Sequence, residues 1–260
     1  VGSEMCIRDR DGTVLTSWNG GTDGVGGSIQ STGTLNIHNS VFTNNHATEG
    51  SSGAIKSYGA LNISNSVFSG NSSLQSAGGA IYVQTSTDVL SSSAAISNTK
   101  FTGNTAVDGG ALGMNDSGSG QNANMVIISS NFSGNTATGH GGAIIATSNG
   151  GTTGLEVYSS EFSGNTAKTG SAISISNSNL TIENTKFTSN TASGYGTVYL
   201  GSGATANITG SEFKSNTANV GSAIYASATS VANISNTVFD SNNALTFSTV
   251  RNEGNMTISD

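Results

Sequence analysis

Apolar and polar residues alternate over short stretches of this chain, with the two-residue period of strands that bury one face. In 61–71 (LNISNSVFSGN), Leu61 and Ile63 alternate with polar residues, and Phe68 belongs to a second short alternation. The tetrapeptide GGAI at 78–81 begins a third apolar stretch after a turn. Helical spacing fits nowhere over a useful length, and Asn, Ser, Thr and Gly are poor helix formers. The pattern predicts three short strands in each repeat.

These three stretches recur along the chain, and successive Phe-x-x-Asn motifs lie 25 to 33 residues apart. The phenylalanines of the motif are Phe42, Phe68, Phe101, Phe132, Phe162, Phe187, Phe213 and Phe239. The asparagines are Asn45, Asn71, Asn104, Asn135, Asn165, Asn190, Asn216 and Asn242. Self-similarity at this period predicts an all-β fold, a right-handed single-stranded parallel β-helix with three short strands per coil and about eight to nine coils.

Stacked coils explain why the same residue types recur at the same phase. Like residues of successive coils would lie on one another and form a phenylalanine column in the core and an asparagine ladder at a corner. A side-chain amide at a corner can bond the backbone of its own turn and the amide of the neighbouring coil. This structural role is favoured over ligand contacts for the asparagines, because buried polar groups need hydrogen-bond partners.

Composition narrows the class of protein. With 36 glycines, no proline and 6% aromatic residues, the 260-residue chain is unlike an unrepeated globular domain. A net charge of −7 argues against nucleic acid as a partner. No apolar run reaches the length of a membrane span. The sole cysteine, Cys6, excludes an internal disulfide framework.

The repeats predict one domain. Residues 1–10 (VGSEMCIRDR) share nothing with the repeat and resemble translated adapter read-through, so we exclude them from fold reasoning as a non-native leader. Residues 11–260 are expected to form a single β-helix solenoid truncated at both ends, in which Trp18 takes the phenylalanine position of a worn first turn.

Function on a solenoid is usually carried by what the repeats do not share. Three consecutive coils have long connections between the third strand and the next Leu-x-Ile, namely 84–93, 114–124 and 147–154. Neighbouring coils place these loops side by side, so they are expected to form one patch. Its candidate interaction residues are Gln84, Thr85, Asp88, Asn115, Asp116, Gln121, Asn122, Ser148 and Asn149. The alternative is drift in tolerated loops.

No catalytic, cofactor-binding or metal-binding residue is assigned, and no cofactor is expected. His38, His46 and His140 fall in different phases of the repeat, without a Cys/His/Asp grouping at metal-ligand spacing. Asp108 could be paired with Asp88 or Asp116, but nothing in the sequence places any two of them at a catalytic separation.

The paired tetrapeptides resemble the repeat of the chlamydial polymorphic membrane proteins, which occurs in autotransporter-type β-helix passengers. Here GGAI stands at 78–81 and 141–144, and FSGN at 68–71, 132–135 and 162–165. The resemblance implies an exported β-helical passenger, typically adhesive, located outside the cell or on the outer surface of a bacterium. The motifs belong to the scaffold, so no binding residue follows from them.

The function expected first is a non-enzymatic surface or secreted scaffold for adhesion or surface interaction, with a host-cell or glycan ligand. One alternative is a polysaccharide lyase or hydrolase on a pectate-lyase-like β-helix, because fold does not fix function. Another is an ice-binding β-helix. Its motivation is a same-phase threonine column, formed by Thr105, Thr136, Thr166, Thr191 and Thr217. The oligomeric state is left open.

Overall fold

The computed structural model describes residues 29–260 together with the backbone of Arg8–Asp9. The remainder of the excluded leader, and the solenoid start expected at 11–28 with Trp18, lie outside the described residues. Within the described part every regular element is a β-strand, and the strands build four sheets along one axis. Strands of successive coils pair in parallel, and only Arg8–Asp9 pairs antiparallel, with Ser40 and Val41.

Two sheets carry the apolar alternation that the sequence displays. The Leu-Ile sheet consists of Leu35–His38, Ala60–Ser64, Ser91–Ser97, Asn122–Ile128, Thr152–Tyr158, Asn179–Glu183, Thr205–Thr209, Val231–Ser235 and Asn255–Ser259. The Phe sheet consists of Ser40–Thr43, Val67–Ser69, Lys100–Thr102, Asn131–Ser133, Glu161–Ser163, Lys186–Thr188, Glu212–Lys214 and Val238–Asp240, with Arg8–Asp9 at its edge. Along both sheets, alternate side chains point into the core.

Two further sheets complete each coil. The Thr-Ala sheet follows the asparagine corner and consists of His46–Ala47, Ser72–Ala77, Thr105–Asp108, Thr136–Ala137, Thr166–Thr169, Thr191–Tyr195, Thr217–Ala218 and Asn243–Ala244. The Gly-Ala-Ile sheet consists of Ile29–Ser31, Ile55–Ser57, Ile81–Gln84, Leu112–Asn115, Ile144–Thr147, Ile173–Ser176, Val198–Leu200, Ile224–Ala226 and Val250–Asn252. The nine strands of this sheet correspond to nine coils.

The predicted right-handed parallel β-helix is confirmed, and the first eight of its nine coils have a fourth short strand. The added strand is as short as the two residues Thr136–Ala137. Four of the eight strands in this sheet have only two residues, which is too few for a recognisable alternation, so the sequence pattern revealed only three strands per coil.

The register places each core residue on its counterpart in the next coil. Phe101 pairs with Phe68 on one side and with Phe132 on the other. Ring centroids in the column lie 4.6–5.4 Å apart, and neighbouring planes differ by 1–16°. This separation is close to the spacing between paired strands, so the backbone ladder itself sets the ring stacking. The rings are buried except that of Phe239, which is half-buried in the eighth coil.

The asparagine ladder satisfies its polar atoms across coils. The Nδ2 of Asn104 donates to Oδ1 of Asn135 at 3.0 Å and to the carbonyl oxygen of Phe68 at 3.1 Å. The backbone N–H of Asn104 donates to the same Oδ1 at 3.0 Å. Each interior asparagine therefore receives two bonds at its oxygen and gives two from its amide. Because the polar atoms of these buried side chains all have hydrogen-bond partners within the protein, the recurrence of asparagine at this position of each coil needs no ligand to explain it.

One glycine of the GG pair is required by close packing between coils. A Cβ added to Gly110 would lie 2.2 Å from the carbonyl oxygen of Gly142 and 2.7 Å from the backbone nitrogen of Thr136. Because both contacts are with backbone atoms, no side-chain movement could relieve them. At this coil the corner therefore admits only glycine, whereas serine occupies the equivalent position in later coils, at Ser171 and Ser222.

Candidate functional site

The three long connections lie side by side, on the third, fourth and fifth coils. We call residues 84–93, 114–124 and 147–154 the three-loop patch. Their extra length extends the adjoining strands of the Leu-Ile sheet, which span seven residues at Ser91–Ser97, Asn122–Ile128 and Thr152–Tyr158 but four at Leu35–His38. The patch thus stands on a continuous parallel ladder, in which Asn122 pairs with Ser91 on one side and Thr152 on the other.

Buried polar side chains tie the first loop to the second. The backbone N–H of Ser117 donates to Oγ1 of Thr85 at 2.7 Å and to Oε1 of Gln121 at 3.1 Å. Its hydroxyl donates to the carbonyl oxygen of Thr85 at 2.6 Å. The Thr85 hydroxyl in turn donates to Oε1 of Gln121. Thr85 and Gln121 are buried, so they position the loops from beneath.

Asp116 ties the second loop to the third. Its Oδ1 accepts the backbone N–H of Asn149 at 3.0 Å and that of Gly151 at 3.3 Å, and its Oδ2 accepts the hydroxyl of Thr153 at 2.9 Å. Burial alone would raise the pKa of the Asp116 carboxyl. The hydrogen bonds from the Ser148 hydroxyl, Asn149, Thr153 and Gly151 outweigh burial and lower this pKa below its usual value. The carboxylate form is therefore the one that the folded loops hold.

We expect the Asp116→Asn variant to be less stable than the wild type by about 1–3 kcal/mol at pH 7, because one buried donor loses its acceptor. Since folding lowers the pKa of Asp116, its contribution is fully present above the unfolded pKa of about 3.9 and is lost as the pH falls through the folded pKa. The stability difference between wild type and variant is therefore expected to shrink in acid. Urea unfolding curves at neutral and acidic pH measure it.

Asp88→Asn is the matched control for this prediction, because Asp88 lies in the same patch but is exposed. We expect this control to unfold like the wild type, within about 0.5 kcal/mol. Equal stability of the Asp116 and Asp88 variants at neutral pH would contradict a positioning role for Asp116.

The structure brings the predicted patch residues together but gives them two orientations. Four of the nine, Thr85, Asp116, Gln121 and Ser148, are buried and bond neighbouring loops or their own loop. The other five lie at the surface, as the exposed Asp88, Asn122 and Asn149 and the half-buried Gln84 and Asn115. Leu90 adds an apolar side chain that is 57% exposed. A ligand of the patch would meet this second group.

Each of the three histidines contacts a residue of a neighbouring coil. His38 contacts the Ser64 hydroxyl at 2.7 Å in the Leu-Ile sheet, His46 contacts the Ser72 hydroxyl in the Thr-Ala sheet, and the backbone N–H of His140 donates to Oδ1 of Asp108 at 2.7 Å. Within the described residues, no three His, Cys, Asp or Glu side chains are grouped as metal ligands would be.

The threonine column is present in the Thr-Ala sheet. Thr136 pairs with Thr105 and with Thr166, and Thr191 pairs with Thr166 and with Thr217. These threonines are exposed or half-buried. Where the short strands continue past the buried alanine, the residues that follow differ from coil to coil. The regular threonine surface is therefore only one column of side chains wide.

Sequence reasoning missed a cluster of aromatic side chains on the Gly-Ala-Ile sheet and at the adjoining end of the Thr-Ala sheet. Tyr199 and Tyr225 occupy the same phase, directly after the Gly-Ala-Ile motif position, and their rings stack 5.4 Å apart. Tyr195 lies against both, at 4.7 Å from Tyr225 and 6.3 Å from Tyr199. The shared phase of Tyr199 and Tyr225 was the available signal, whereas Tyr195 has no counterpart in other coils that could have indicated it.

Two stretches that contain the paired tetrapeptides match the model of a known protein family. Residues 65–84 and 129–147 match the family model of the Chlamydia polymorphic membrane protein (Chlamydia_PMP) repeat. These two stretches are repeats of that type. Each contains one Phe-x-x-Asn motif and one GGAI motif, so the resemblance inferred from the tetrapeptides is confirmed at both.

The first matched stretch runs from the second coil into the third, and the other runs from the fourth coil into the fifth. The first two loops of the three-loop patch lie between them. Searches of curated proteins and of solved structures returned no match. In the described part of the chain, no helix has the length and apolarity that crossing a lipid bilayer requires.

Proposed function

We propose that this chain is an exported surface scaffold that binds a glycan or protein of a host cell through the three-loop patch, without catalysing a reaction. Two supports come from the family and the fold. Two stretches of the chain match the repeat of the Chlamydia polymorphic membrane proteins, and the β-helix provides a rigid rod on which loops can vary. Export to the outer surface of a bacterium is the location that such a repeat favours.

The observation that carries the proposal is the order within the loops. Loops that merely drift have no need of bonds to one another, yet Thr85, Gln121 and Asp116 connect three successive loops through buried hydrogen bonds. Pre-ordered loops lose little conformational entropy on binding, which favours recognition. Rigid supporting elements also hold the exposed side chains in a fixed arrangement.

The arrangement of charges favours binding over catalysis. Glycoside hydrolysis uses two carboxyl groups about 5 to 10 Å apart across a bond. In the patch, Asp116 is engaged by several protein donors, whereas Asp88 lies at the exposed tip of a different loop. A carboxylate bound by the protein's own donors has little capacity left to act as an acid or base.

Replacing each long loop by the equivalent, shorter connection of the sixth coil tests the patch. Residues 175–179 replace 114–124, and residues 176–179 replace 84–93 and 147–154. We expect the trimmed protein to remain a β-helix, because the strands on both sides keep their register, and to lose binding to host cells at least ten-fold relative to the wild type. Flow cytometry with labelled protein measures the binding. Circular dichroism and thermal melts establish the fold.

A variant with 201–204 replaced by Asn-Gly serves as the control, because it shortens a connection outside the patch. Undiminished cell binding after trimming of all three loops would refute the patch proposal. Incubation with acidic and neutral polysaccharides separates the enzyme alternative, since cleavage of any of them would displace the binding function. Thermal hysteresis would instead support the ice-binding alternative at the threonine column.

A further inference from the structure

The outer face of the Gly-Ala-Ile sheet bears an aromatic platform near the C-terminal end of the rod. Tyr199, Tyr225 and Arg251 stand in one column, paired coil on coil. Tyr195 reaches this column from the end of the strand Thr191–Tyr195, and its ring is tilted by 50° to that of Tyr225. Phe247, the one phenylalanine outside the core motif, lies beside Arg251. We call these five side chains together with Glu253 the aromatic platform.

Charged side chains frame the rings. The Tyr225 hydroxyl donates to Oε2 of Glu253 at 2.7 Å, and Nε and Nη2 of Arg251 donate to Oε1 of Glu253 at 3.3 and 3.2 Å. The guanidinium of Arg251 lies 5.1 Å from the ring centre of Phe247. Burial, together with the adjacent Glu253, raises the pKa of the Tyr225 hydroxyl. The hydroxyl is therefore a proton donor at neutral pH, and it fixes the carboxylate.

The upper surface of the platform is open to solvent. Tyr195 is 42% exposed and Phe247 is 55% exposed, while the side chains of Arg251 and Glu253 are 40% and 38% exposed. Tyr225 lies beneath them at 9%. The core of the β-helix is complete without these rings, because they stand on the outer face of the sheet. Their mutual packing therefore creates a surface feature and adds nothing to the phenylalanine column.

We propose that the aromatic platform binds a neutral sugar of an oligosaccharide. Aromatic faces carry partial negative charge and attract the polarised C–H groups on the apolar face of a pyranose ring. The flanking Arg251 and Glu253 supply charged donors and acceptors for the sugar hydroxyls, and hydrogen bonds to charged groups are the stronger ones. Apolar surface with a few convergent polar groups is the composition of a small-ligand site.

Electrostatics select neutral over acidic sugars. The carboxylate of a bound uronic acid would lie near Glu253, and the pairing of Arg251 with Glu253 leaves the platform no free cation to bind that carboxylate. The chain as a whole also carries a net charge of −7. Like charges held close together cost free energy, so acidic sugars are disfavoured at this position.

The size of the platform favours a sugar over a folded protein. A stable protein interface commonly involves about 20–30 residues on each side. Six side chains here match the dimensions of one or two sugar rings. This inference does not depend on the three-loop patch, which lies on earlier coils and contains none of these residues.

Isothermal titration of the full chain with cellotetraose, mannotetraose, chitotetraose and tetragalacturonate tests the platform. We expect at least one of the three neutral tetrasaccharides to bind and tetragalacturonate not to bind. Tyr195→Ala and Phe247→Ala are expected to weaken that binding about ten-fold each, because each removes one exposed ring face. Thermal melts verify that both variants keep the fold.

Tyr158→Ala is the matched control, since Tyr158 stands alone on the Leu-Ile sheet and bonds Glu156. It is expected to bind like the wild type. Glu253→Gln keeps the shape of the side chain but removes its charge, and it is expected to admit tetragalacturonate. Binding of none of the neutral sugars, or equal binding by the Tyr195 and Tyr158 variants, would overturn the proposal. So would a wild-type preference for tetragalacturonate.

The trimmed-loop protein and the Tyr195→Ala variant together distinguish binding at the aromatic platform from binding at the three-loop patch. Trimmed loops are expected to leave the titration with neutral sugars unchanged, so failure of one site does not imply failure of the other. Host-cell binding that the Tyr195→Ala variant loses, but that survives periodate oxidation of the cell-surface glycans, would overturn the sugar assignment in favour of a protein ligand.

Discussion

Replacing Phe132 with alanine is expected to lower the free energy of unfolding by about 3–5 kcal/mol. Its ring is completely buried and lies between Phe101 and Phe162, at centroid distances of 4.8 and 4.7 Å. The paired strands above and below fix the backbone, so the core cannot collapse fully into the space that the ring leaves. The stability loss therefore includes a cavity term in addition to the lost apolar burial. Urea unfolding followed by circular dichroism gives the difference.

Alanine variants of two other phenylalanines provide comparisons for the loss of stability at Phe132. Phe239 is only half-buried in the eighth coil, so its replacement by alanine is expected to cost less than that of Phe132. Phe247 is 55% exposed outside the column, and its replacement is expected to change stability by less than about 1 kcal/mol. A Phe132 variant as stable as the Phe247 variant would show that the ring column does not hold the coils together.

The second large effect is expected at Asn135, where alanine is predicted to cost about 2–4 kcal/mol. The substitution leaves the backbone N–H and Nδ2 of Asn104 without their acceptor, since both bond Oδ1 of Asn135 at 3.0 Å. It also removes the donor to the carbonyl oxygen of Phe101. Buried polar atoms that lose their partners pay the full cost of desolvation. Thermal and urea unfolding of the variant measure this loss.

Asn124→Ala is the comparison variant, because Asn124 is exposed on the outer face of the Leu-Ile sheet. It is expected to unfold within about 0.5 kcal/mol of the wild type. The Asn135 variant is also expected to lose amide-exchange protection at Asn104 before distant coils are affected, because the Asn104 N–H no longer has an acceptor for its hydrogen bond. Unchanged protection there would contradict the ladder as the source of the stability.

Most of the fold could be predicted because the same residue types recur at the same positions of every coil. Phe68, Phe101 and Phe132 recur at one phase, and a parallel stack is the arrangement that brings residues of one phase together. The fourth strand was not predicted from the sequence. At Thr136–Ala137 it has only two residues, and strand formation there depends on pairing with the coils above and below. Such pairing is a tertiary effect, which a local pattern does not contain.

The candidate sites were less predictable, because polar side chains in loops can face either way. The sequence placed the three long loops together, but it gave no means to tell the buried Asp116 from the exposed Asp88. That difference follows from donors that lie more than 30 positions away along the chain, at Asn149 and Gly151. The aromatic platform required the same long-range information, since Tyr195 approaches Tyr225 only through the coiling of the chain.

The asparagine ladder also has a consequence for how such rods change length over generations. Every interior rung offers one oxygen to the coil before it and takes one from the coil after it, so any two coils present matching junctions. Duplication or loss of one whole repeat therefore leaves the bonding pattern complete on both sides of the splice. The length of the rod can then change in single genetic events, in steps of about 4.8 Å, without compensating substitutions elsewhere.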